Sequence, residues 1–212
     1  NDIPSNPEGG YSLLFADDLS AFFAFEKIKI KNETVSKRVQ LYLYEIESLL
    51  CKWRLKMASH KCNYTVFSSK KGNRTSFGFR LFGELIPYSD NPVSLGIMFN
   101  QNLSFEDHFK NLKTRLSSRL NIIKILSHRF WKLGKKTLVS IYRSLIGSVL
   151  DYSSFLSDRL SNVLKKSIQA IQNRALRLIF HRPFDDSTTD LCLLSGLGLV
   201  NDRMVELNIR YY

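Results

Sequence analysis

The sequence predicts an α+β chain, with antiparallel strands and one long helix up to about residue 104 and an all-helical portion from residue 105 to residue 212. Two observations predict it. Before residue 104, short apolar runs are separated by turn residues, with a single 3.6-period stretch among them. From Phe105 the apolar residues recur at helical spacing and continue to do so.

Residues 1–10 hold two Pro and two Gly and predict a loop. Tyr11–Phe15 and Leu19–Phe25 predict the strands of a hairpin, with Asp17 and Asp18 in its turn and the apolar flanks buried. Val35, Val39, Tyr42, Leu43, Ile46, Leu49, Leu50 and Trp53 predict one amphipathic helix that starts near Asn32 or Thr34. Lys61–Ser68 predicts a strand. Ser76–Phe82 and Leu85–Tyr88 predict a hairpin around Gly83-Glu84, and Val93–Phe99 a further strand containing Leu95-Gly96.

Three apolar stripes follow. Phe105, Phe109, Leu112, Leu116, Leu120 and Ile123 make the first. Leu138, Ile141, Tyr142, Leu145, Ile146 and Val149 make the second, and Val163, Leu164, Ile168, Ile171, Ala175, Leu176 and Ile179 the third. All three are core faces. A last short helix is expected over Asp202–Tyr212.

The 212 residues carry 31 Lys and Arg against 19 Asp and Glu, a net charge of +12. That excess favours a polyanion as partner, nucleic acid ahead of an acidic membrane surface. Basic residues crowd into Lys110–Arg143 and Lys165–Arg182. Cys51, Cys62 and Cys192 lie far apart and contain no Cys-x-x-Cys, which excludes a zinc knuckle and a disulfide framework and favours an intracellular protein, in cytoplasm or nucleus. No apolar run reaches the roughly 18 residues of a membrane span. Asn1-Asp2-Ile3-Pro4 has neither a signal-peptide character nor an initiator Met, so the chain is expected to begin in mid-protein. His60, His108, His128 and His181 are scattered, and none has the spacing of a metal or nucleophile site.

Asp17-Asp18 is the feature with chemistry. Adjacent carboxylates at a hairpin tip suit Mg²⁺, which takes one or two carboxylates and completes its shell with phosphate oxygens and water. They equally suit a solvated turn, where Asp is common.

The residues around this pair resemble a known family. Phe15-Ala16-Asp17-Asp18 on a hairpin, a long helix, Trp53-Arg54-Leu55-Lys56-Met57-Ala58-Ser59-His60-Lys61 and a Leu-Gly strand are similar, in that order, to a reverse transcriptase palm. Ser148-Val149-Leu150-Asp151-Tyr152-Ser153 and Gln172-Asn173-Arg174-Ala175-Leu176-Arg177-Leu178-Ile179 resemble the segment that follows the polymerase core in non-LTR (LINE-type) retrotransposon reverse transcriptases. The resemblance runs along essentially the whole chain. It implies a partial palm over residues 1–104 and a helical thumb over 105–212.

The resemblance also implies roles. Asp17 and Asp18 match the acidic pair that helps hold catalytic Mg²⁺ or Mn²⁺. Phe15 stands at the aromatic position near the primer end, Lys61 at the lysine near the leaving pyrophosphate, and Leu95-Gly96 in the primer grip. Lys110, Lys113, Arg115, Arg119, Lys124 and Arg129 would contact phosphates of an RNA template and DNA primer, with dNTP as substrate. The family's metal site takes a further Asp from an earlier strand. The chain by itself is therefore expected not to polymerise. Ala58-Ser59-His60 and Ser94 depart from the family pattern, as a diverged or decayed copy would. The other reading of the residues is a basic nucleic-acid-binding fragment without catalysis.

Overall fold

In the computed structural model, residues 10–25, 32–67 and 77–211 are described. The expected loop over residues 1–10 lies outside them except for Gly10, as do Ser68, Ser76 and Tyr212. The chain divides into two compact units, Asn1–Leu103 and Ser104–Tyr212.

In the first unit, β1 (Gly10–Phe15) and β2 (Asp18–Phe23) pair antiparallel, in register from Gly10 opposite Phe23 to Phe15 opposite Asp18. Gly10 opens β1 opposite Phe23, and a Cβ there would lie 2.2 Å from the Phe22 carbonyl oxygen, so the position requires glycine. A two-residue turn, Ala16-Asp17, joins the strands, and Ala16 takes a positive φ of 54°. Asp18 is therefore the first residue of β2 rather than part of the turn.

Pleating puts Tyr11, Leu13, Phe15, Asp18, Ser20 and Phe22 on one face. Tyr11 and Phe22 stack there with centroids 5.0 Å apart. The flanks expected to be buried are not: Tyr11, Leu13, Leu14 and Phe15 are exposed, Phe15 by 66%. A two-stranded sheet can cover only what packs on it, and α1 (Asn32–Lys52) meets it through Tyr42, whose ring is 5.7 Å from that of Phe23. Tyr42 and Ile46 form the buried stripe of α1. Trp53 falls just past the helix end and is exposed, not part of the stripe.

Helix α1 also holds the next hairpin. Gln40 bonds the Arg80 backbone twice, donating Nε2 to its carbonyl at 2.8 Å and accepting its N–H at 3.0 Å, as a neighbouring strand would. Glu47, two helical turns on, accepts the Phe82 N–H. Phe79, Leu81 and Ile86 are buried at this junction.

The strand expected over Lys61–Ser68 is absent from its described part. Ser59–Lys61 is a 3₁₀ turn pinned by the buried Ser59 hydroxyl, which donates to the Leu81 carbonyl at 3.0 Å. Only Tyr64 then pairs, in an isolated bridge with Tyr88. β3 (Arg80–Leu81) and β4 (Glu84–Leu85) turn at Phe82-Gly83, and β5 (Val93–Ser94) and β6 (Ile97–Met98) turn at Leu95-Gly96. Val93–Phe99 is thus a hairpin and not one strand. Leu95 and Gly96 both have positive φ, 47° and 76°, the signature of a I′ turn.

The second unit is helical: α2 (Glu106–Leu126), α3 (Lys135–Tyr142), α4 (Ser148–Tyr152), α5 (Asn162–Phe180), α6 (Thr188–Ser195) and α7 (Val200–Tyr211). The first apolar stripe is buried as a whole, and α2 packs along α5. The second stripe does not lie on one regular helix, because a π turn over Arg143–Gly147 separates α3 from α4. The extra residue in that turn brings Tyr142, Ile146 and Leu150 inward in succession. In the third stripe Val163, in the first turn of α5, is 77% exposed and is not part of the core.

Helix α6 had no counterpart in the periodicity. Its ends are nevertheless written in the chain. Ser187 caps it by accepting the Asp190 N–H at 3.1 Å, and Gly196 ends it at φ 64°. Helix α7 begins at Val200, two residues before the expected start.

Side-chain amides lock the helices together. The Tyr142 hydroxyl donates to Gln172 Oε1 at 2.8 Å, and Gln172 Nε2 donates to the Gly198 carbonyl at 2.9 Å. Asn173 Nδ2 donates to Thr188 Oγ1 at 2.7 Å. Arg203 forks onto Asp151 at 2.8 and 2.7 Å. All three cysteines are free thiols. Among the described residues, no helix is long and apolar enough to cross a membrane.

Candidate active site

Asp17 and Asp18 stand exposed at the tip of the β1–β2 hairpin. The cross-strand partner of Asp18 is Phe15, so the exposed Phe15 ring and the Asp18 carboxylate rise from the same face side by side. Ser20, two residues further along that face, has its Oγ 3.4 Å from Ser94 Oγ. Ser94 is the last residue of β5 and precedes the Leu95-Gly96 turn. The structure therefore brings Phe15, Asp18, Leu95 and Gly96 into one neighbourhood of the first unit.

Lys61 sits on a different element. It is exposed at the end of the 3₁₀ turn, which is tied to the β3–β4 hairpin through Ser59. No hydrogen bond or ion pair among the described residues joins Lys61 to Asp17 or Asp18.

The donor chemistry at the tip is two hard carboxylate oxygens groups, which suits Mg²⁺ or Mn²⁺. Among the described residues there is no cluster of three or more metal-ligating side chains. Two carboxylates are as many as Mg²⁺ commonly takes from protein when phosphates and water fill its octahedron. The pair fits as part of such a ligand set and not as a closed cage.

In the second unit, the cations chosen from the sequence do not share one face. At 100° per residue, Lys110, Lys113 and Lys124 run along one flank of the buried stripe of α2, and Arg115 and Arg119 along the other. Lys110 is paired with Asp107 at 3.2 Å. Arg119 donates Nη1 to the Leu145 carbonyl in the π turn, so it also holds the fold. Arg129 lies beyond α2, in a 3₁₀ turn over Arg129–Trp131. His108 is buried against Phe109, with Nε2 3.4 Å from Ser153 Oγ. Burial, and then the nearby charge of Arg115, hold its pKa below the ordinary histidine value.

Two residues of the family-like segment, singled out for no role of their own by the sequence, prove to be structural hubs. Gln172 and Asn173 are buried and hydrogen-bonded on both sides. Two adjacent amides inside an otherwise apolar helical stripe were the signal, because buried polar groups are retained only where they find partners.

Three curated proteins are similar to this chain. The probable RNA-directed DNA polymerase from transposon X-element of Drosophila melanogaster is 25% identical over 211 residues, covering 96% of this chain and 22% of that protein. The RNA-directed DNA polymerase from mobile element jockey of Drosophila funebris is 22% identical over 174 residues, 82% of this chain and 19% of that protein. The retrovirus-related Pol polyprotein from type-1 retrotransposable element R1 4 of Nasonia vitripennis is 28% identical over 85 residues, 40% of this chain and 22% of that protein. The chain thus spans about a fifth of the length of the curated relatives it matches. No family model and no solved structure matches it.

Proposed function

We propose that this chain, similar along its length to the RNA-directed DNA polymerases of non-LTR retrotransposons, is a portion of such a polymerase that carries part of the palm (residues 1–104) and the helical thumb (residues 105–212). The reaction joins the primer 3′-hydroxyl oxygen to the α-phosphorus of a dNTP, and pyrophosphate leaves. The observation that carries the reading is the acidic hairpin beside the Leu95-Gly96 turn, linked through Ser20 and Ser94.

Asp17 and Asp18 would hold Mg²⁺ or Mn²⁺ together with a carboxylate from elsewhere in the longer protein. When bound, the ions supply charge stabilisation at the attacking and leaving oxygens. Phe15 offers an exposed apolar surface next to Asp18, against which a terminal base or sugar can rest. The Leu95-Gly96 turn, tied to the acidic hairpin through Ser94 and Ser20, is the element proposed to position the primer. The exposed cations flanking α2 contact phosphates and carry no sequence information. Lys61, exposed in the 3₁₀ turn, is the candidate for the group beside the leaving pyrophosphate; among the described residues no hydrogen bond or ion pair ties it to the acids.

A protein joining this chain to the preceding portion of its relatives' length tests the reading. Primer extension on an RNA template is expected with all four dNTPs. Chelation should abolish it, and added Mg²⁺ or Mn²⁺ should restore it. Tight, salt-sensitive binding of template–primer without any extension would favour the non-catalytic reading, for which the net charge of +12 already speaks.

A further inference from the structure

A cleft of about 420 Å³ lies in the second unit, where the C-terminal ends of α2 and α5 converge. Lys124, His128, Arg129, Arg177, His181 and Arg182 line it. Cations at helix C-termini are ordinarily answered by the helix dipoles, each equivalent to about half a negative charge. Here the two ends together supply about one negative charge, and the Asp186 carboxylate, on Arg182 Nε, supplies another. Four permanent cations outnumber them. Lys124 and Arg129 have no acidic partner among the described residues.

Arg177 is the most telling of these. It donates Nη2 to the Asp186 carbonyl at 2.8 Å, yet its Nε–H is buried without an acceptor. A buried charged donor left unbonded is costly, so the protein around this guanidinium does not fully answer its charge.

Aromatic rings rim the same corner. Phe130 and Trp131 follow Arg129 directly, meet edge to face at 5.9 Å, and are 78% and 51% exposed. On the α5 side, Phe184 is 89% exposed and lies under the Arg177 guanidinium at 5.1 Å. Three rings held open to solvent around an excess of positive charge are what unstacked bases and their phosphates require. A duplex, with its bases stacked inside, would leave these rings idle.

We infer that this corner is a binding site for single-stranded nucleic acid, with backbone phosphates in the cleft between α2 and α5 and unpaired bases on Phe130, Trp131 and Phe184. The inference shares the partner class and the cations Lys124 and Arg129 with the polymerase reading, and needs neither Asp17 nor Asp18.

The test uses the whole chain with Trp53→Phe, which leaves Trp131 as the sole tryptophan of two. Its fluorescence is titrated with ten-nucleotide oligo-dT and oligo-U, with a duplex of the same length, and with inorganic tripolyphosphate. The single strands are expected to quench Trp131 and to bind at least about tenfold more tightly than the other two ligands. Phe130→Ala and Phe184→Ala should each weaken single-strand binding about tenfold. Both rings are exposed, so circular dichroism should stay unchanged. Arg129→Gln should lower the salt slope of log K by about 0.7, the value for one single-strand phosphate contact. Equal binding of duplex or tripolyphosphate, or single-strand binding unmoved by both Phe variants, would overturn the inference. Asp17→Asn should bind single strands normally, so loss of extension and loss of single-strand binding are read separately.

Discussion

Ser20 and Ser94, 74 residues apart in the chain, place their hydroxyl oxygens 3.4 Å apart and so tie the acidic hairpin to the Leu95-Gly96 hairpin. Neither serine is among the residues proposed to act on a substrate. Their contact nevertheless sets the distance between the acids and a turn whose backbone faces the same neighbourhood.

That turn is strained at Leu95. A leucine at φ 47° occupies a region that costs non-glycine residues about 1–2 kcal/mol. Leu95→Asn is expected to raise stability by up to about 1 kcal/mol, because Asn tolerates this conformation in I′ turns. Gly96→Val should lower it by more than about 1 kcal/mol, because a β-branched residue at φ 76° is a steric outlier. Urea unfolding of the two variants measures both signs.

Gln172 joins the Tyr142 hydroxyl to the Gly198 carbonyl. Burial pushes the Tyr142 pKa far up, which marks how little solvent could replace the lost partner. Gln172→Leu should destabilise by about 1–3 kcal/mol, since it orphans a buried hydroxyl and a carbonyl at once. Denaturant midpoints, with an unchanged slope, check this.

His108 is held neutral by burial, with its folded pKa below the unfolded value of about 6.5. The unfolded chain therefore takes up the proton first as pH falls. The stability contribution is complete above about pH 7, declines as pH drops below about 6.5, and levels off beneath the folded pKa. His108→Gln should flatten the stability profile between pH 5 and 7, read from denaturation midpoints across that range.

The two flanks of α2 should respond differently to loss of charge. Lys113→Gln should lower the salt slope of duplex binding by about 0.9 and leave stability within about 0.5 kcal/mol. Arg119→Gln should cost about 1–3 kcal/mol of stability, because its guanidinium bonds the π-turn carbonyl of Leu145. Anisotropy titrations at several salt concentrations, alongside unfolding curves, separate the two.

The helical half was legible where one period ran unbroken, as in α2, where every residue of the stripe from Phe109 to Ile123 is buried. It was not legible where the period slipped. The π turn at Arg143–Gly147 shifts the inward register and leaves no compositional trace. The first unit was harder to read. Leu95-Gly96 lies in an apolar run that reads as a strand, and only the two positive φ values make it a turn. Lys61–Val66 alternates as a strand does, but the buried Ser59 hydrogen bond commits its start to a 3₁₀ turn. The acidic tip itself was plain in the sequence. Its contact with the Leu95-Gly96 hairpin depends on a pairing of two serines that no local pattern announces.

The most direct test of the account is the single-turnover rate of dNTP incorporation by the joined, longer protein carrying Asp17→Asn or Asp18→Asn. Both residues are exposed, so folding should be unaffected. The account predicts a loss of at least about 10³-fold in rate for each variant, with template–primer binding retained. A rate within about tenfold of the unmodified protein would contradict the assignment of these carboxylates to the catalytic metals.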